Sequence, residues 1–260
     1  FTGGGARNRF YEWLQRRSFR RMDAVVAVSE ALRRELEAGG VPAAHVHLVR
    51  NAWSPPADLL VRAAARAALG LPAGATDQQP LVGWVGRMTE EKAPDVALRA
   101  FLDLAGRVGP SAPHLVLVGD GRMRAALAAE AAASGAGDRV HFPGVVPDAG
   151  RLLKAFDVLI LSSWTEGTPM VLLEAMAAEV PVVTTAVGGI PDVVSDAEAH
   201  LVPAGDVSGL ARALEDVMTN GAAAAERAAA ARRRLERDLS VEDFAHRYGE
   251  IYRACLMARR

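Results

Sequence analysis

From residue 81 onward one pattern repeats: a short run of apolar residues, a break rich in glycine, serine or proline, then a helical stretch. The runs fall at 81–85, 114–118, 140–142, 158–161, 180–184 and 200–202. Helical stretches lie between most of them, at 94–107, 122–133, 149–156, 169–178, 192–194 and 208–218. Runs this continuous suit strands buried on both faces, and strands alternating with helices specify a parallel sheet covered on both sides. In such α/β sheets ligands bind beyond the carboxyl ends of the strands. The segments to search are therefore 86–92, 119–121, 143–147, 162–168 and 186–191.

The first fifty residues read as one β-α-β unit. A strand is expected at 23–28, a helix from an N-cap at Ser29 through Glu37, a stop at Gly39-Gly40, and a second strand at 46–49. It has the look of the last unit of a domain whose beginning is missing. The first residue, Phe1, is not methionine, so the expectation is a piece of a longer protein. Pro55-Pro56, Leu71-Pro72 and Gly74 punctuate the next stretch of chain, around one alanine-rich helix at 59–69. The division expected is residues 1–52 as the end of an N-terminal domain, 53–79 as a linker carrying a helix, 80–238 as the main domain and 239–260 as a final helix. Within this scheme 221–238 reads as a surface helix. Ser240 and Asp243 resemble a capping box, and Phe244, Tyr248, Ile251, Tyr252 and Cys255 share one face of the last helix.

Composition narrows the function classes. Thirty basic and 31 acidic side chains leave a net charge of -1, so there is no global field to draw in nucleic acid. The single Cys255 excludes an internal disulfide framework and a cysteine-rich zinc site. No apolar run is long enough to span a bilayer, and Phe1–Gly5 does not open as a signal peptide. The expected location is cytoplasmic. The segment from Arg7 to Met22, basic with Phe10, Tyr11, Trp13 and Phe19, reads either as a helix lying on the inner face of an anionic membrane or as a domain helix with its cations in water.

Three constellations could carry chemistry. Gly86-Arg87 followed by Lys92 puts a tight turn and two cations at a strand's end, where a diphosphate could lie; the plain alternative is two surface cations beside Glu90 and Glu91. In the run from Glu166 to Glu174, Gly167 allows a turn, Thr168 comes next, and Pro169 suits the first turn of a helix. The amides of Gly167 to Val171, Met170 included, would then form an anion site at the positive end of the helix dipole. Glu174 sits among apolar neighbours and needs partners, for which two vicinal ribose hydroxyls would serve; Glu166 could receive sugar hydroxyls. The alternative is a dipole-stabilised acid plus one satisfied buried glutamate. In the third, Gly119 and Gly121 match the first two glycines of a dinucleotide fingerprint, but Arg124 occupies the third place, which disfavours nicotinamide. Gly188-Gly189 either brings amides near a ligand or only turns the chain. No Walker loop, nucleophile elbow, zinc helix or Asp-x-Asp metal motif is present, and the six histidines are scattered.

Taken in order, Gly86-Arg87 to Lys92, Gly119-Asp120-Gly121, Phe142-Pro143-Gly144, Glu166 with Glu174 eight positions on, and Gly188-Gly189 to Asp192 resemble glycosyltransferase family 4. The likeness runs from about Arg20 to the C-terminus. It implies a GT-B architecture: a Rossmann-like C-terminal domain binding the donor, with part of an N-terminal Rossmann-like domain that binds the acceptor. It implies retaining transfer from a nucleotide-diphosphate sugar, with no cofactor and no metal, to a saccharide or lipid-linked acceptor. By resemblance, Arg87 and Lys92 neutralise the diphosphate, Glu174 holds the ribose, Glu166 contacts the donor sugar, and the amides of Gly167, Thr168 and Met170 contact sugar or phosphate. Phe142, Gly144 and Val145 border the base, and the last helix crosses back to the first domain. Three rivals stand beside this reading. One is a non-catalytic nucleotide or sugar-phosphate-binding module. The others are a nicotinamide oxidoreductase and a phosphorylase-like enzyme, for whose pyridoxal phosphate no compelling lysine site is found.

Overall fold

A computed structural model describes residues 6–56, 58–71 and 79–258; Phe1–Gly5, Pro72, Gly74 and the last two residues, named above, lie outside the described residues. The chain opens with α1 (Ala6–Phe19), β1 (Val25–Ala27), α2 (Glu30–Ala38) and β2 (Val46–Leu48). β1 and β2 pair in parallel, Val25 opposite Val46 and Ala27 opposite Leu48. Ser29 caps α2 as expected, its Oγ accepting from the Leu32 amide at 3.2 Å. Val25, Ala27, Leu36, Val41 and Val46 form a small core of their own, with Leu32 and Phe19 against it.

The stretch read as a linker is anchored. Its helix α3 (Arg62–Ala68) carries a buried arginine, Arg66, whose guanidinium donates to the Ala155 carbonyl at 3.0 Å and to Asp157 at 2.7 Å. The same Asp157 oxygen accepts from the Leu81 amide at 2.7 Å, at the start of the next strand. A buried guanidinium is tolerable only when paired and hydrogen-bonded, and these partners bind α3 to the foot of the main sheet.

The main domain continues with β3 (Leu81–Val85), α4 (Pro94–Val108), β4 (His114–Val118), α5 (Arg124–Ala133), β5 (Val140–Gly144) and β6 (Val158–Leu161). Then come α6 (Met170–Ala177), β7 (Val182–Thr185), α7 (Ile190–Val193), β8 (His200–Val202), α8 (Val207–Thr219), α9 (Gly221–Asp238) and α10 (Val241–Ala258). The six strands form one parallel sheet in the order β5-β4-β3-β6-β7-β8. Alternate residues of each strand enter opposite cores. Val82, Trp84, Leu115 and Leu117 meet Leu98, Phe101, Leu210 and Leu214 on one face. Leu81, Val116, Leu159 and Leu161 meet Leu172, Leu173 and Met176 on the other. The α/β expectation is met, with a parallel sheet covered on both sides.

Several details differ from the sequence reading. Residues 149–155 form a 3-10 helix, and α6 begins at Met170 with Pro169 as its N-cap rather than inside its first turn. The run at 180–184 pairs only from Val182, because Pro181 has no amide to donate. α9 is more than a surface helix: Ala224, Ala228, Ala231 and Leu235 are buried along one stripe. At the start of α10 the Ser240 cap holds, its Oγ accepting from the Asp243 amide at 3.1 Å, and Phe244, Tyr248 and Tyr252 succeed one another along one side. None of the described helices is long and apolar enough to cross a membrane.

Candidate functional site

Strand order places the site. β3 lies between β4 and β6, so the chain runs outward through β4 and β5 on one side, then returns to run outward through β7 and β8 on the other. At such a reversal the loops leaving the two central strands diverge and open a crevice at their carboxyl ends. Here those loops are 86–92 after β3 and 162–168 after β6.

On the β4–β5 side the loops lock together through backbone. Gly86 N donates to Val118 O at 3.0 Å, Met88 N to Asp120 O at 2.8 Å and Gly119 N to Gly144 O at 2.8 Å. Gly119 has φ 129, and a Cβ there would lie 1.9 Å from the Gly86 carbonyl oxygen; at Gly121 it would lie 2.4 Å from that of Met88. The two glycines therefore let one loop settle on another, which accounts for the Gly-x-Gly spacing without a nicotinamide. Arg124 donates to the Phe142 carbonyl at 3.0 Å, so the residue that spoils the dinucleotide fingerprint holds the end of β5. Phe142 is partly buried and Gly144 buried, while Val145 projects into solvent.

Across the crevice the structure joins Lys92 and Glu166. Lys92 Nζ donates to both carboxylate oxygens, at 2.8 and 2.7 Å, bridging 74 residues of sequence. The Glu166 side chain is only 6% exposed and Lys92 26%. Ser163 Oγ donates to the same carboxylate at 2.7 Å. Beside it, Ser162 Oγ donates to the carbonyl of Ala93 at 2.7 Å and lies 3.2 Å from that of Lys92. Thr185, at the end of β7, donates from its hydroxyl to Ser163 O at 2.7 Å. The sequence reading placed Ser162 and Ser163 in the 162–168 loop without giving them a role and missed Thr185; the one available signal was a pair of serines directly after an apolar strand. Arg87 stands apart from this group, 76% exposed and paired with Glu91 on its own loop at 3.1 Å.

The start of α6 faces the same region. Among the described residues, the amides of Gly167, Thr168, Met170 and Val171 make no hydrogen bond outside the helix. No side chain caps them, which leaves donors at the positive end of the dipole. The loop before the helix is shaped from behind by Gly188-Gly189. Gly188 has φ 54, and a Cβ on it would lie 1.8 Å from the Glu166 carbonyl oxygen, while Gly189 N donates to that oxygen at 3.1 Å. Thr168, expected to offer its amide, uses its other groups elsewhere. Its hydroxyl donates to Val28 O at 2.7 Å and its carbonyl accepts from Asn51 Nδ2 at 3.0 Å, so its side chain joins the loop to the first β-α-β unit.

Glu174, one turn into α6, is half-buried, and its carboxylate has no hydrogen bond or ion pair among the described residues. Burial alone pushes its pKa above the ordinary carboxylate value. Gly150, which the sequence reading did not single out, makes room for it: a Cβ there would stand 3.1 Å from the Glu174 carboxyl carbon. A cleft of about 530 Å³ adjoins the other side of Glu166, between Thr165–Gly167 and Ser29, Leu32 and Glu35 of the first unit. Among the described residues no three His, Cys, Asp or Glu side chains converge on a common point.

A family model described as glycosyl transferases group 1 matches residues 79–220, and one described as a glycosyl transferase 4-like domain matches residues 1–52. The chain is 38% identical over 208 residues to the 2-deoxystreptamine N-acetyl-D-glucosaminyltransferase of Streptomyces fradiae, covering 77% of this chain and 44% of that protein. It is 40% identical over 181 residues to the D-inositol 3-phosphate glycosyltransferase of Mycobacterium avium (strain 104), covering 65% of this chain and 40% of that one. The crystal structure of Anabaena HepE in complex with UDP-glucose matches with a TM-score of 0.81 at 21% identity, over 95% of this chain and 69% of that chain, a likeness of fold. The chain thus spans less than half the length of these two curated relatives.

Proposed function

The chain belongs to the group 1 glycosyl transferases, and from that premise we propose that it forms the donor-binding part of an enzyme moving a sugar from a nucleotide-diphosphate sugar to an acceptor hydroxyl, with retention at the anomeric carbon. In this reading residues 80–238 bind the donor, 1–52 are the end of an acceptor-side domain, 53–79 join the two and 239–260 return toward the first. The observation that carries it is the Lys92–Glu166 contact at the sheet's reversal point, beside the unbonded amides of α6.

Each part has a role in the reaction. Glu174 receives the ribose hydroxyls, which give its solitary carboxylate the donors it lacks. The amides of Gly167 to Val171 meet the diphosphate, with Arg87 and Lys92 adding fixed positive charge. Glu166 receives hydroxyls of the donor sugar, and Phe142, Gly144 and Val145 border the base over Gly119 and Gly121. As the anomeric C–O bond breaks, negative charge grows on the bridging oxygen while the sugar becomes oxocarbenium-like. Preorganised cations and amides favour that state over the ground state. The reading needs no metal or other cofactor, so a chelator is expected to leave donor affinity unchanged. The acceptor is a saccharide, a cyclitol or a lipid-linked sugar. Contact with an anionic membrane face runs through α1, whose Phe10, Tyr11, Trp13 and Leu14 are exposed alongside Arg17, with Arg21 exposed just beyond its end.

A second reading, a binding module without transfer activity of its own, is favoured by one observation: Arg87 and Lys92 are each already paired with a carboxylate, Glu91 and Glu166. One experiment separates the two. The purified chain is screened by thermal shift against UDP, UDP-glucose, UDP-N-acetylglucosamine and the ADP and GDP sugars. Any protecting donor is then offered 2-deoxystreptamine and D-inositol 3-phosphate. Protection with transfer supports the proposal, and the anomeric coupling constant of the product reports retention. Protection without transfer to these or to a panel of saccharide and lipid-linked acceptors selects the binding module, and protection by no nucleotide overturns both.

A further inference from the structure

The geometry points to Ser162 and Ser163 as a matched pair of positioning residues, one for each partner of the Lys92–Glu166 contact. The inference rests on the donor-site reading above and names residues which that reading leaves out. Successive side chains at the end of a strand point to opposite faces. Here the two hydroxyls diverge from adjacent residues just after β6. Ser162 Oγ reaches toward the start of α4 and donates to Ala93 O at 2.7 Å, next to the Lys92 carbonyl at 3.2 Å. Ser163 Oγ reaches the other way and donates to Glu166 Oε1 at 2.7 Å. One serine fixes the backbone that carries the cation; the other fixes the carboxylate itself.

Both serines are themselves held. Ser162 is fully buried and Ser163 2% exposed. Thr185 Oγ1, also buried, donates to Ser163 O at 2.7 Å and pins the backbone of the pair to the end of β7. The backbone of the loop is tied once more, Trp164 N donating to Glu91 O at 2.9 Å. Ala93, the residue Ser162 holds, sits in the left-handed region at φ 47, so the turn that aims Lys92 has a costly conformation to maintain.

A count of lone pairs shows what this does for the site. A carboxylate offers about four acceptor positions. Among the described residues, Glu166 Oε1 receives Ser163 and Lys92, and Oε2 receives Lys92 alone. The open position is therefore on Oε2, and a ligand hydroxyl arriving there finds a carboxylate with one orientation. Without the Ser163 hydroxyl the carboxylate pivots about Lys92, and sugar recognition loses its reference. Without Ser162 it is the lysine that wanders.

The test uses Ser162→Ala, Ser163→Ala and Ser163→Thr in the full chain. Calorimetric affinities are measured for UDP and for UDP-N-acetylglucosamine, with thermal melts and hydrogen exchange of residues 89–97 and 163–168. Ser163→Ala is expected to hold UDP within about twofold but to reduce the added affinity that the sugar confers by about tenfold, the effect of one hydrogen bond to a charged group. Ser163→Thr, which keeps the hydroxyl, is expected to restore most of it. Ser162→Ala is expected to speed exchange at the bonded amides of Lys92, Ala93 and Val96 while the bonded Trp164 amide stays protected; Ser163→Ala shows the reverse. A purely structural role predicts a lower melting temperature with UDP and UDP-sugar weakened alike, and that result overturns the proposal. If the parent chain binds neither of these nor the ADP and GDP sugars, the donor reading fails, and the exchange pattern alone decides: unchanged exchange in both variants refutes the positioning roles.

Discussion

Glu174→Gln tests the donor reading most sharply, because it is expected to improve the unliganded protein while damaging its function. The carboxylate is half-buried, stands against Gly150 and lacks a protein partner among the described residues. Its pKa is raised by burial, so between the ordinary carboxylate value and the raised one the folded state binds more protons than the unfolded state. Stability therefore falls as pH rises through that window and stays lowered above it. Glutamine has the same shape and no charge to desolvate. At neutral pH the variant should melt no lower than the parent, and its advantage should vanish below the ordinary carboxylate pKa. Binding moves the other way. The ribose hydroxyls would donate to a charged acceptor, and losing the charge costs about 1.5–3 kcal/mol, or about 10–100-fold in nucleotide affinity. In the parent, affinity should also decline on acidification at a higher pH than an ordinary carboxylate would cause, since only the ionised form accepts both donors. Melts from pH 4 to 8 and titration calorimetry with UDP read both effects. A variant that loses stability at neutral pH yet binds UDP as tightly as the parent would refute the reasoning, because Glu174 would then be a satisfied structural acid.

Lys92→Met leaves Glu166, 6% exposed, without its cation, and should destabilise the chain by about 2 kcal/mol in urea melts; adding Glu166→Gln should recover most of that loss. Gly188→Ala forces a Cβ toward the Glu166 carbonyl from a φ of 54, and should cost about 2–3 kcal/mol together with nucleotide protection in the thermal-shift screen. Arg87→Ala, at a side chain 76% exposed, should leave the melting temperature nearly unchanged but flatten the salt dependence of UDP affinity.

Burial decides how much could be read from the sequence. A parallel strand covered on both faces must be apolar at every position, so β3, β4, β6 and β8 were visible as runs, and β5 and β7 were misjudged only at their ends. The glycines were visible as glycines, but not what they touch: Gly119 faces the Gly86 backbone and Gly188 the Glu166 backbone, contacts that exist only once strand order is set. The same holds for polar partners far apart in the chain. Lys92 finds Glu166 across 74 residues, and Thr168 finds Val28 across 140, and nothing local to any of the four announces its partner. Arg66 shows the limit most plainly. In the sequence it is one arginine in an alanine-rich linker, whereas in the fold it is a buried anchor, because Asp157 and the Ala155 carbonyl happen to lie at the sheet's foot.

The pairing of Lys92 with Glu166 also changes the electrostatic account of the site. Counted as free side chains, Arg87 and Lys92 bring two positive charges to a diphosphate. In the fold each already has a carboxylate, Glu91 at 3.1 Å and Glu166 at 2.7 Å, so the four side chains sum to zero. The uncompensated positive potential resides in the open amides of α6, roughly half a unit charge. On the proposed reading a diphosphate that takes Lys92's charge for itself, rather than its one spare N–H, must draw the ammonium from Glu166, which would strand a nearly buried carboxylate. A donor sugar answers that difficulty by offering hydroxyls to the carboxylate as the lysine turns to phosphate, while the Ser163 hydroxyl stays in place. UDP alone offers no such replacement. The sugar moiety should therefore add more affinity than its own contacts supply, and this surplus should shrink in Lys92→Met, where no exchange is needed. Equal sugar increments in parent and variant would mean that Lys92 and Glu166 remain paired throughout, with the amides and Arg87 alone meeting the phosphates.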